Sequence, residues 1–304
     1  MELEVLHVRT GKNIVTLSNI SPSATIHEVK KEIYKLRRKY YPERQALKTK
    51  PSGKYLADEN VLKTLNLQDG RLLYFKDLGP QVGWKTVFLW EYFGPLVLYT
   101  VTYLRPAFLY GSSAALKPKH FVVHVAAVCW IAHYVKRLLE TLFVHRFSHS
   151  TMPIKNLLKN CSYYWLFSIF IGYFVNHPLY TPPKFGPLQI YLGLAGFVQS
   201  EIGNFSTHWV FKNLRAPGTK ERKIPMATGN PFTYLFNFVS CPNYTYEVMA
   251  WFSFTIMVQC LPAGMFTLLG LYQMTVWALQ KHHNYKKEFE DYPKNRKAII
   301  PFVL

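Results

Sequence analysis

Residues 121 to 147 read FVVHVAAVCWIAHYVKRLLETLFVHRF, an apolar run that leads directly into a stretch dense in ionisable side chains. The second part, 133 to 147, holds two histidines, a lysine, two arginines, a glutamate and a tyrosine. Charge within or at the end of a membrane-spanning helix is costly, and it is tolerated mainly where side chains pair, face a bundle interior or meet water. If the chain spans a bilayer, this stretch therefore indicates a functional site.

The composition favours a membrane protein. Of the 304 residues, 49% are hydrophobic and 17% are charged, against roughly 25% charged in a typical soluble domain. The net charge of +19 would suit a nucleic-acid binder, but the basic residues lie between apolar runs, as they do in the cytoplasmic loops of membrane proteins. We therefore expect membrane lipid, and no nucleic acid, as a partner. The four cysteines have no CxxC or Cys/His spacing, so no metal site is predicted.

Six apolar runs approach the roughly 20 residues that a bilayer core requires. They are residues 86 to 109, 120 to 144, 156 to 176, 188 to 210, 244 to 260 and 262 to 280. The fifth follows a polar segment with a proline and could begin as a broken helix, so the sequence predicts six or seven spans.

The distribution of basic residues predicts the orientation. Residues 212 to 223 hold five basic residues against one acid, and residues 281 to 297 hold six against three. Because lysine and arginine are in excess on cytoplasmic loops, we expect both segments, and both chain termini, in the cytosol.

Residues 1 to 78 have a different pattern. The runs MELEVLHV and NIVTLSNI alternate like strands, SPSATIHEVKKEIYKLRRKY is typical of a capped amphipathic helix, and RLLYFKDL predicts a closing strand. This order resembles the ubiquitin-like β-grasp fold. We predict a cytosolic ubiquitin-like domain at 1 to 78, with no chemistry of its own, and a membrane domain at 79 to 304.

Isolated polar side chains recur inside the apolar half. Glu91 is the only charged residue in TVFLWEYFGPLVLY, where a carboxylate must be paired, protonated or close to the interface. His133, Lys136 and Glu140 share one helical face. An internal pair of Lys136 and Glu140 would account for those two without any function.

A second polar stripe continues into the basic connector. Asn204, His208, Lys212 and Arg215 follow at spacings of four, four and three. Such a stripe suits a nucleotide with several phosphates in a groove that opens to the cytosol. Lys212 and Arg215 could equally be ordinary cytosolic flanks. No GxGxxG after a strand, P-loop, GxSxG or HExxH motif occurs, so a Rossmann site or a hydrolase is not supported.

Four longer motifs carry a resemblance to a known family. They are KRLLETLFVHRFSH at 136 to 149, NHPLYTPP at 176 to 183, NPFTYLFNFVSCPNYTYEV at 230 to 248 and EDYPKNRKAIIPFVL at 290 to 304. In this order they resemble the very-long-chain trans-2-enoyl-CoA reductases, a branch of the steroid 5-alpha-reductase family. The resemblance covers essentially the whole chain, including the ubiquitin-like module.

This resemblance implies a mainly α fold, a polytopic transmembrane helical bundle preceded by a small α+β domain. It further implies an endoplasmic reticulum enzyme that uses NADPH to reduce long-chain trans-2-enoyl-CoA, the last step of fatty-acid elongation. Elongase, ketoacyl-CoA reductase and hydroxyacyl-CoA dehydratase would then be its partners.

The resemblance also implies the site residues. Those on the substrate side are Tyr244, Lys136, Tyr134 and Glu91. Those that contact NADPH are Arg137, Asn204, His208, Arg215, Asn243, Glu247, Tyr285 and Arg296. Two positions depart from the family pattern, because His208 stands where the steroid reductases have an acid and Lys281 replaces a histidine.

The reaction requires three roles in the site. We expect Tyr244 to donate a proton, Lys136 to stabilise negative charge, and Glu91 with Tyr134 to orient the carbonyl. Tyr134 could exchange roles with Tyr244. Two other functions stay open, namely reduction of another conjugated enone such as a steroid, and a non-catalytic adaptor of the elongation machinery.

Overall fold

The computed structural model describes residues 1–65, 67, 71–147, 151–214 and 222–304. It is mainly helical and begins with a small sheet. The strands are β1 (Leu3–His7), β2 (Asn13–Leu17), β3 (Gln45–Lys48), β4 (Leu72–Asp77), β5 (Gln81–Gly83) and β6 (Thr151–Pro153). The helices are α1 (Ile26–Leu36), α2 (Trp84–Leu104), α3 (Ala107–Tyr110), α4 (Phe121–Phe143), α5 (Ile154–Asn176), α6 (Gly186–Asn213), α7 (Pro242–Val258) and α8 (Leu261–Glu288).

The chain divides into two compact units. The first comprises Met1–Trp84 with His149–Leu158, and the second comprises Lys85–Ser148 with Lys159–Leu304. We call them the N-terminal unit and the helical unit.

The N-terminal unit is built on a four-stranded sheet in the order β2, β1, β4, β3, with the central pair β1 and β4 parallel and both outer pairs antiparallel. Helix α1 begins at a capping box, in which Thr25 Oγ1 accepts from the Glu28 amide at 3.2 Å and Glu28 Oε2 accepts from the Thr25 amide at 2.7 Å. The apolar positions of α1 lie buried against the inner face of the sheet. In the same unit β5 pairs with β6, antiparallel.

The helical unit packs its long helices around Trp130, which is fully buried and whose indole N–H donates to the Pro95 carbonyl at 3.1 Å. Helices α6 and α7 approach closely because glycines line their contact. A Cβ added at Gly193 would meet Met257 on α7, and one added at Gly203 would meet the ring of Tyr246. Small residues let helix backbones approach in this way. This close packing positions the polar residues of α6 against those of α7.

Two of the described helices, α2 and α4, are long and apolar enough to cross a bilayer on the criteria of length and composition alone. Large apolar side chains also face outward from the helical unit. Examples are Trp90, Phe93, Leu139, Phe252 and Leu268. The predicted mainly helical architecture with a small N-terminal sheet is confirmed, whereas the number of spans stays a prediction.

Each of the six predicted apolar runs overlaps a helix, although α2 ends at Leu104 and not at 109, and α8 continues to Glu288 and not only to 280. The polar segment before the fifth run forms a separate 3₁₀ helix, Pro231–Asn237, and α7 starts only at Pro242. Proline at the start of a helix is favourable because its missing N–H is not needed there.

Candidate active site

Polar and charged side chains of three helices meet inside the helical unit. We call this group the charged cluster. Its members are His133, Lys136, Arg137 and Glu140 from α4, Glu201, Asn204 and His208 from α6, and Asn243 and Glu247 from α7.

The Lys136 ammonium group is held by α6. Its Nζ lies 2.8 Å from Glu201 Oε2 and 2.8 Å from Asn204 Oδ1, whereas Glu140 Oε1 is 3.8 Å away. The principal partner of Lys136 is thus Glu201 and not its helical neighbour Glu140. Glu201 also contacts the ring of His133 at 2.8 Å, so one carboxylate ties two α4 residues to α6.

Glu140 instead joins Arg137 to α6. Arg137 Nη1 donates to Glu140 Oε2 at 2.8 Å, and Glu140 Oε1 lies 3.0 Å from His208 Nδ1. The second nitrogen of the guanidinium, Nη2, donates to the Tyr92 hydroxyl at 2.8 Å. Glu140 is 1% exposed. A carboxylate this deeply buried needs such partners, because an unpaired buried charge is strongly destabilising.

Helix α7 closes the cluster through Asn243 and Glu247. Asn204 Nδ2 donates to the backbone carbonyl of Asn243 at 3.0 Å and to Glu247 Oε2 at 3.2 Å. The other carboxylate oxygen, Glu247 Oε1, accepts from the Trp251 indole at 3.0 Å. The predicted residues Lys136, Arg137, Asn204, His208, Asn243 and Glu247 are therefore brought together.

Tyr134 borders this cluster. Its side chain is 1% exposed, and its hydroxyl has no hydrogen-bond partner among the described residues. The ring lies 5.2 Å from that of Trp130 and 4.9 Å from that of His133. A buried hydroxyl without a partner normally carries an energetic cost and calls for an explanation such as a catalytic role.

Glu91 is buried and hydrogen-bonds to a residue outside the charged cluster. Its Oε1 accepts from Asn160 Nδ2 of α5 at 2.6 Å. Its neighbour Tyr92 is the residue that contacts Arg137, so α2 borders the cluster through Tyr92.

Three further predicted residues, Tyr244, Tyr285 and Arg296, lie near α8 or in the C-terminal tail. Tyr244 is half-buried, with its ring 6.2 Å from that of Trp277 and 5.9 Å from Lys281 Nζ. Tyr285 stacks on Tyr292 at 5.6 Å. Arg296 is 2% exposed and donates through Nη1 to the Pro225 carbonyl at 2.9 Å, and Arg215 lies outside the described residues. The structure therefore places Lys281 beside Tyr244, while Lys136 is bound to α6.

Sequence reasoning missed Glu201, although a signal was present. Glu201 is an acid in an apolar helix and lies three residues before Asn204, on the face that also carries His208. The argument that singles out Glu91 applies to it equally. Tyr92 carries no comparable sequence signal, because tyrosine is common near membrane interfaces.

Two members of the cluster form, with His145, a group that has the composition of a metal site. The ligand atoms of Glu140, His145 and His208 all lie within 4.8 Å of one another. Arg137 already donates to this carboxylate, and Lys136 lies 3.8 Å from it. Because two cations face the same oxygens, a divalent ion there would be repelled, and we assign no metal to the group.

Two family models match the chain. Residues 1–77 match the model described as "TECR, ubiquitin-like domain", and residues 150–304 match "3-oxo-5-alpha-steroid 4-dehydrogenase". The chain belongs to the 3-oxo-5-alpha-steroid 4-dehydrogenase family. The predicted resemblance is thereby confirmed.

Relatives in this family match nearly the full chain. A probable very-long-chain enoyl-CoA reductase of Caenorhabditis elegans is 58% identical over 97% of this chain and 96% of its own length. A very-long-chain enoyl-CoA reductase of Dictyostelium discoideum is 44% identical over the whole of both chains. A mouse protein named trans-2,3-enoyl-CoA reductase-like is 43% identical over this entire chain and 84% of its own.

A family of dehydrogenases and reductases implies a nicotinamide cofactor, which carries hydride. The charged cluster and the tail offer polar atoms to hold such a group. Arg137 Nε, Asn243 Oδ1 and Arg296 Nε are buried without a hydrogen-bond partner among the described residues. Two cationic donors and one amide acceptor suit the phosphates and the amide of a nicotinamide nucleotide.

Proposed function

We propose that this protein uses NADPH to reduce long-chain trans-2-enoyl-CoA to the saturated acyl-CoA, the last step of very-long-chain fatty-acid elongation. The observation that carries the proposal is the buried charged cluster beside the Tyr134 hydroxyl, which has no hydrogen-bond partner in the part of the chain that the structure describes. The names of the nematode and slime-mould relatives supply the substrate class.

The reaction adds a hydride to C3 of the enoyl thioester, which moves the double-bond electrons toward the thioester oxygen, and then adds a proton to C2. When bound, NADPH supplies the hydride. We propose that Arg137, Asn204, His208, Asn243, Glu247, Tyr285 and Arg296 hold it, together with Arg215.

Negative charge develops on the thioester oxygen during this step. Lys136 is the proposed cation for that charge, and Glu201 with Asn204 holds its ammonium group in place. Oriented charge in a water-poor site stabilises a transition state because no reorganisation is needed as the charge appears. Glu91 and Tyr134 are proposed to orient the carbonyl.

Tyr244 is the proposed proton donor to C2, and Tyr134 is its rival. Lys281, whose Nζ lies 5.9 Å from the Tyr244 ring centroid, is a cation that would stabilise the tyrosinate left after transfer. The unpartnered hydroxyl supports Tyr134. In either case water would return the proton to the tyrosine.

A pair of matched variants separates the two tyrosines. We expect Tyr244→Phe to lower kcat by about 10²- to 10⁴-fold, the usual contribution of a general acid, and Tyr134→Phe to lower it less. NADPH consumption by the purified protein with a trans-2-enoyl-CoA measures both. Near-normal turnover of Tyr244→Phe with a large loss in Tyr134→Phe would transfer the role to Tyr134.

We further propose that the chain crosses the endoplasmic reticulum membrane six times, which leaves both termini cytosolic, with residues 1 to 78 forming a separate cytosolic domain. Elongase, ketoacyl-CoA reductase and hydroxyacyl-CoA dehydratase are the proposed partners. The outward-facing apolar side chains of α2, α7 and α8 support burial in lipid. Protease protection of tags at each terminus in sealed microsomes tests the topology, because a cytosolic tag is digested and a lumenal tag is not.

A second candidate, reduction of a steroid enone, is favoured by the description of the family model that matches residues 150–304. Its chemistry is the same addition of hydride and proton to a conjugated double bond. A side-by-side assay of a 3-oxo-4-ene steroid and a trans-2-enoyl-CoA distinguishes them. We expect turnover of the thioester alone.

A further inference from the structure

His133 is a histidine of the charged cluster to which the proposed mechanism gives no role. Its side chain is 2% exposed, and it directly precedes Tyr134 on α4. Each of its two ring nitrogens can donate or accept a hydrogen bond, according to whether it carries a proton. Because a buried polar group without partners is costly, the atoms that these two nitrogens face indicate what the residue does.

The two nitrogens of His133 face carboxylates on different helices. Nδ1 lies 2.8 Å from Glu201 Oε1 on α6, and Nε2 lies 3.5 Å from Glu247 Oε1 on α7. Since His133 itself belongs to α4, this one side chain joins three helices. Ionised carboxylates only accept hydrogen bonds, so an imidazole that donates to both must carry a proton on each nitrogen and is then a cation.

A positive charge on His133 fits the charge balance of the charged cluster. The cluster contains three carboxylates, namely Glu140, Glu201 and Glu247, and two cations besides its histidines, namely Lys136 and Arg137. A third cation therefore makes the cluster neutral, and an unbalanced buried charge would be strongly destabilising. His133 is better placed for this than His208. The ring of His208 faces one carboxylate and also lies 3.4 Å from Arg137 Nη1.

Packing fixes the orientation of the His133 ring. The ring lies between those of Tyr134 and Trp251, with centroid distances of 4.9 and 4.7 Å and planes inclined by 82° and 65°. The indole N–H of Trp251 donates at 3.0 Å to Glu247 Oε1, the same oxygen that His133 Nε2 faces. Contacts on the ring therefore determine the direction in which its two nitrogens point.

The two carboxylates serve different ligands in the proposed mechanism. Glu201 holds the Lys136 ammonium group at 2.8 Å, and that cation is proposed to stabilise charge on the thioester oxygen. Glu247 is proposed to hold NADPH, and it accepts from Asn204 Nδ2 at 3.2 Å. An imidazole between these two carboxylates connects the substrate side of the site with the cofactor side.

We propose that His133 is a positioning residue that fixes Glu201 through Nδ1 and Glu247 through Nε2. This inference rests on the proposed function, because Lys136 and Glu247 have their roles only in that reaction. The two contacts then make separate contributions. The contact with Glu201 contributes to kcat, since it acts through Lys136, and the contact with Glu247 contributes to the affinity for NADPH.

Two conservative variants separate these contributions. The side-chain amide nitrogen of asparagine can replace Nδ1, and that of glutamine can replace Nε2. His133→Asn therefore keeps a donor for Glu201, and we expect the Kd for NADPH to rise by about tenfold with a smaller loss of kcat, because one hydrogen bond to a charged group is lost. His133→Gln keeps a donor for Glu247, and we expect kcat to fall by about tenfold with a smaller change in the Kd.

Both quantities are measured on the purified full-length protein. Calorimetric titration with NADPH in the absence of acyl-CoA gives the Kd, and NADPH consumption with a trans-2-enoyl-CoA gives kcat. The matched control is His124, an exposed histidine of α4 whose Nδ1 lies 2.8 Å from the Tyr103 hydroxyl. His124→Asn and His124→Gln should each leave the Kd and kcat within about twofold of wild type.

The proposal requires that His133→Asn mainly changes the Kd and His133→Gln mainly changes kcat. Unchanged values in both variants, equal losses in both, or the reverse pattern would overturn it. Circular dichroism checks that each variant is folded. If one is not, Glu247→Gln replaces His133→Asn and Glu201→Gln replaces His133→Gln, with the same expected results. Wild-type protein that binds NADPH but reduces no enoyl-CoA would instead contradict the proposed function, so the two failures are distinguishable.

Discussion

The two units differ in the number of charged side chains that they bury. The core of the N-terminal unit is mainly apolar, with Leu3, Val5, Ile33 and Phe75 completely buried, and the acid of each of its ion pairs is at least partly exposed. The helical unit buries a cluster of carboxylates and cations and exposes large apolar side chains such as Phe252.

This difference in buried charge indicates where the molecule performs chemistry. Removing a charge from water is costly, so a domain that only has to fold keeps charges outside. Within the charged cluster each charge has several partners, and such an arrangement of buried ionisable groups is typical of a site that performs chemistry. We therefore expect variants of the charged cluster to change kcat, and variants of the core of the N-terminal unit to change its free energy of unfolding.

The largest effect is expected inside the charged cluster. Glu201→Leu removes the carboxylate that holds Lys136 and leaves that cation with Glu140 at 3.8 Å. Without Glu201 the Lys136 ammonium group is positioned less firmly for the charge of the transition state, so we expect kcat to fall by about 10²- to 10³-fold. Steady-state NADPH consumption measures the change.

Two further variants show whether Glu201 acts by positioning Lys136. Glu201→Asp keeps the charge and should restore a large part of kcat, with the KM for NADPH changed less than kcat. Glu4→Leu, in an exposed position of β1, is the matched control and should leave turnover unchanged. Equal losses in Glu201→Asp and Glu201→Leu would refute the positioning role.

The second effect is expected in the apolar core of the N-terminal unit. Leu73 in β4 is completely buried, and Leu73→Ala should lower the free energy of unfolding by about 3 kcal/mol through lost burial and a cavity. Hydrogen exchange of β1 and β4 in the full chain measures it. The control is Leu268→Ala, at a position 66% exposed in the helical unit. Faster hydrogen exchange of β1 and β4 in both variants would contradict the assignment of the effect to the core of the N-terminal unit.

The smallest effect concerns an ion pair at the edge of the N-terminal sheet. Arg44 donates to Asp77 through Nε and Nη2, both at 2.6 Å. This hydrogen bonding lowers the pKa of Asp77 below its ordinary value of 3.8. A depressed carboxyl pKa stabilises the folded state above the unfolded pKa, and the contribution is lost as the pH falls through the folded pKa.

Asp77→Asn should therefore cost about 1 kcal/mol near pH 7 and progressively less below pH of about 4. Hydrogen-exchange protection of β3 and β4 as a function of pH, in wild type and variant, measures the difference. If wild type and Asp77→Asn differ in hydrogen-exchange protection by the same amount at pH 7 and below pH 4, the ion pair is not the cause of the difference.

Much of the architecture was predictable because its signals are local. The alternation in MELEVLHV, the capping pair Thr25 and Glu28, and the apolar runs each depend on residues close in sequence. The partners in the site were harder to predict. Lys136 and Glu140 are neighbours on one helix, yet Lys136 binds Glu201, which lies far along the chain.

The sequence by itself determined the order of elements, the apolar character of the long helices and the presence of unusual charge among them. Only the tertiary structure decided that Glu201 holds Lys136, that Glu140 binds Arg137 and His208, and that Lys281 lies beside Tyr244. The physical reason is that helix formation follows from interactions within a few residues, whereas pairing between helices depends on how they pack. Here the glycines of α6 allow α7 to approach.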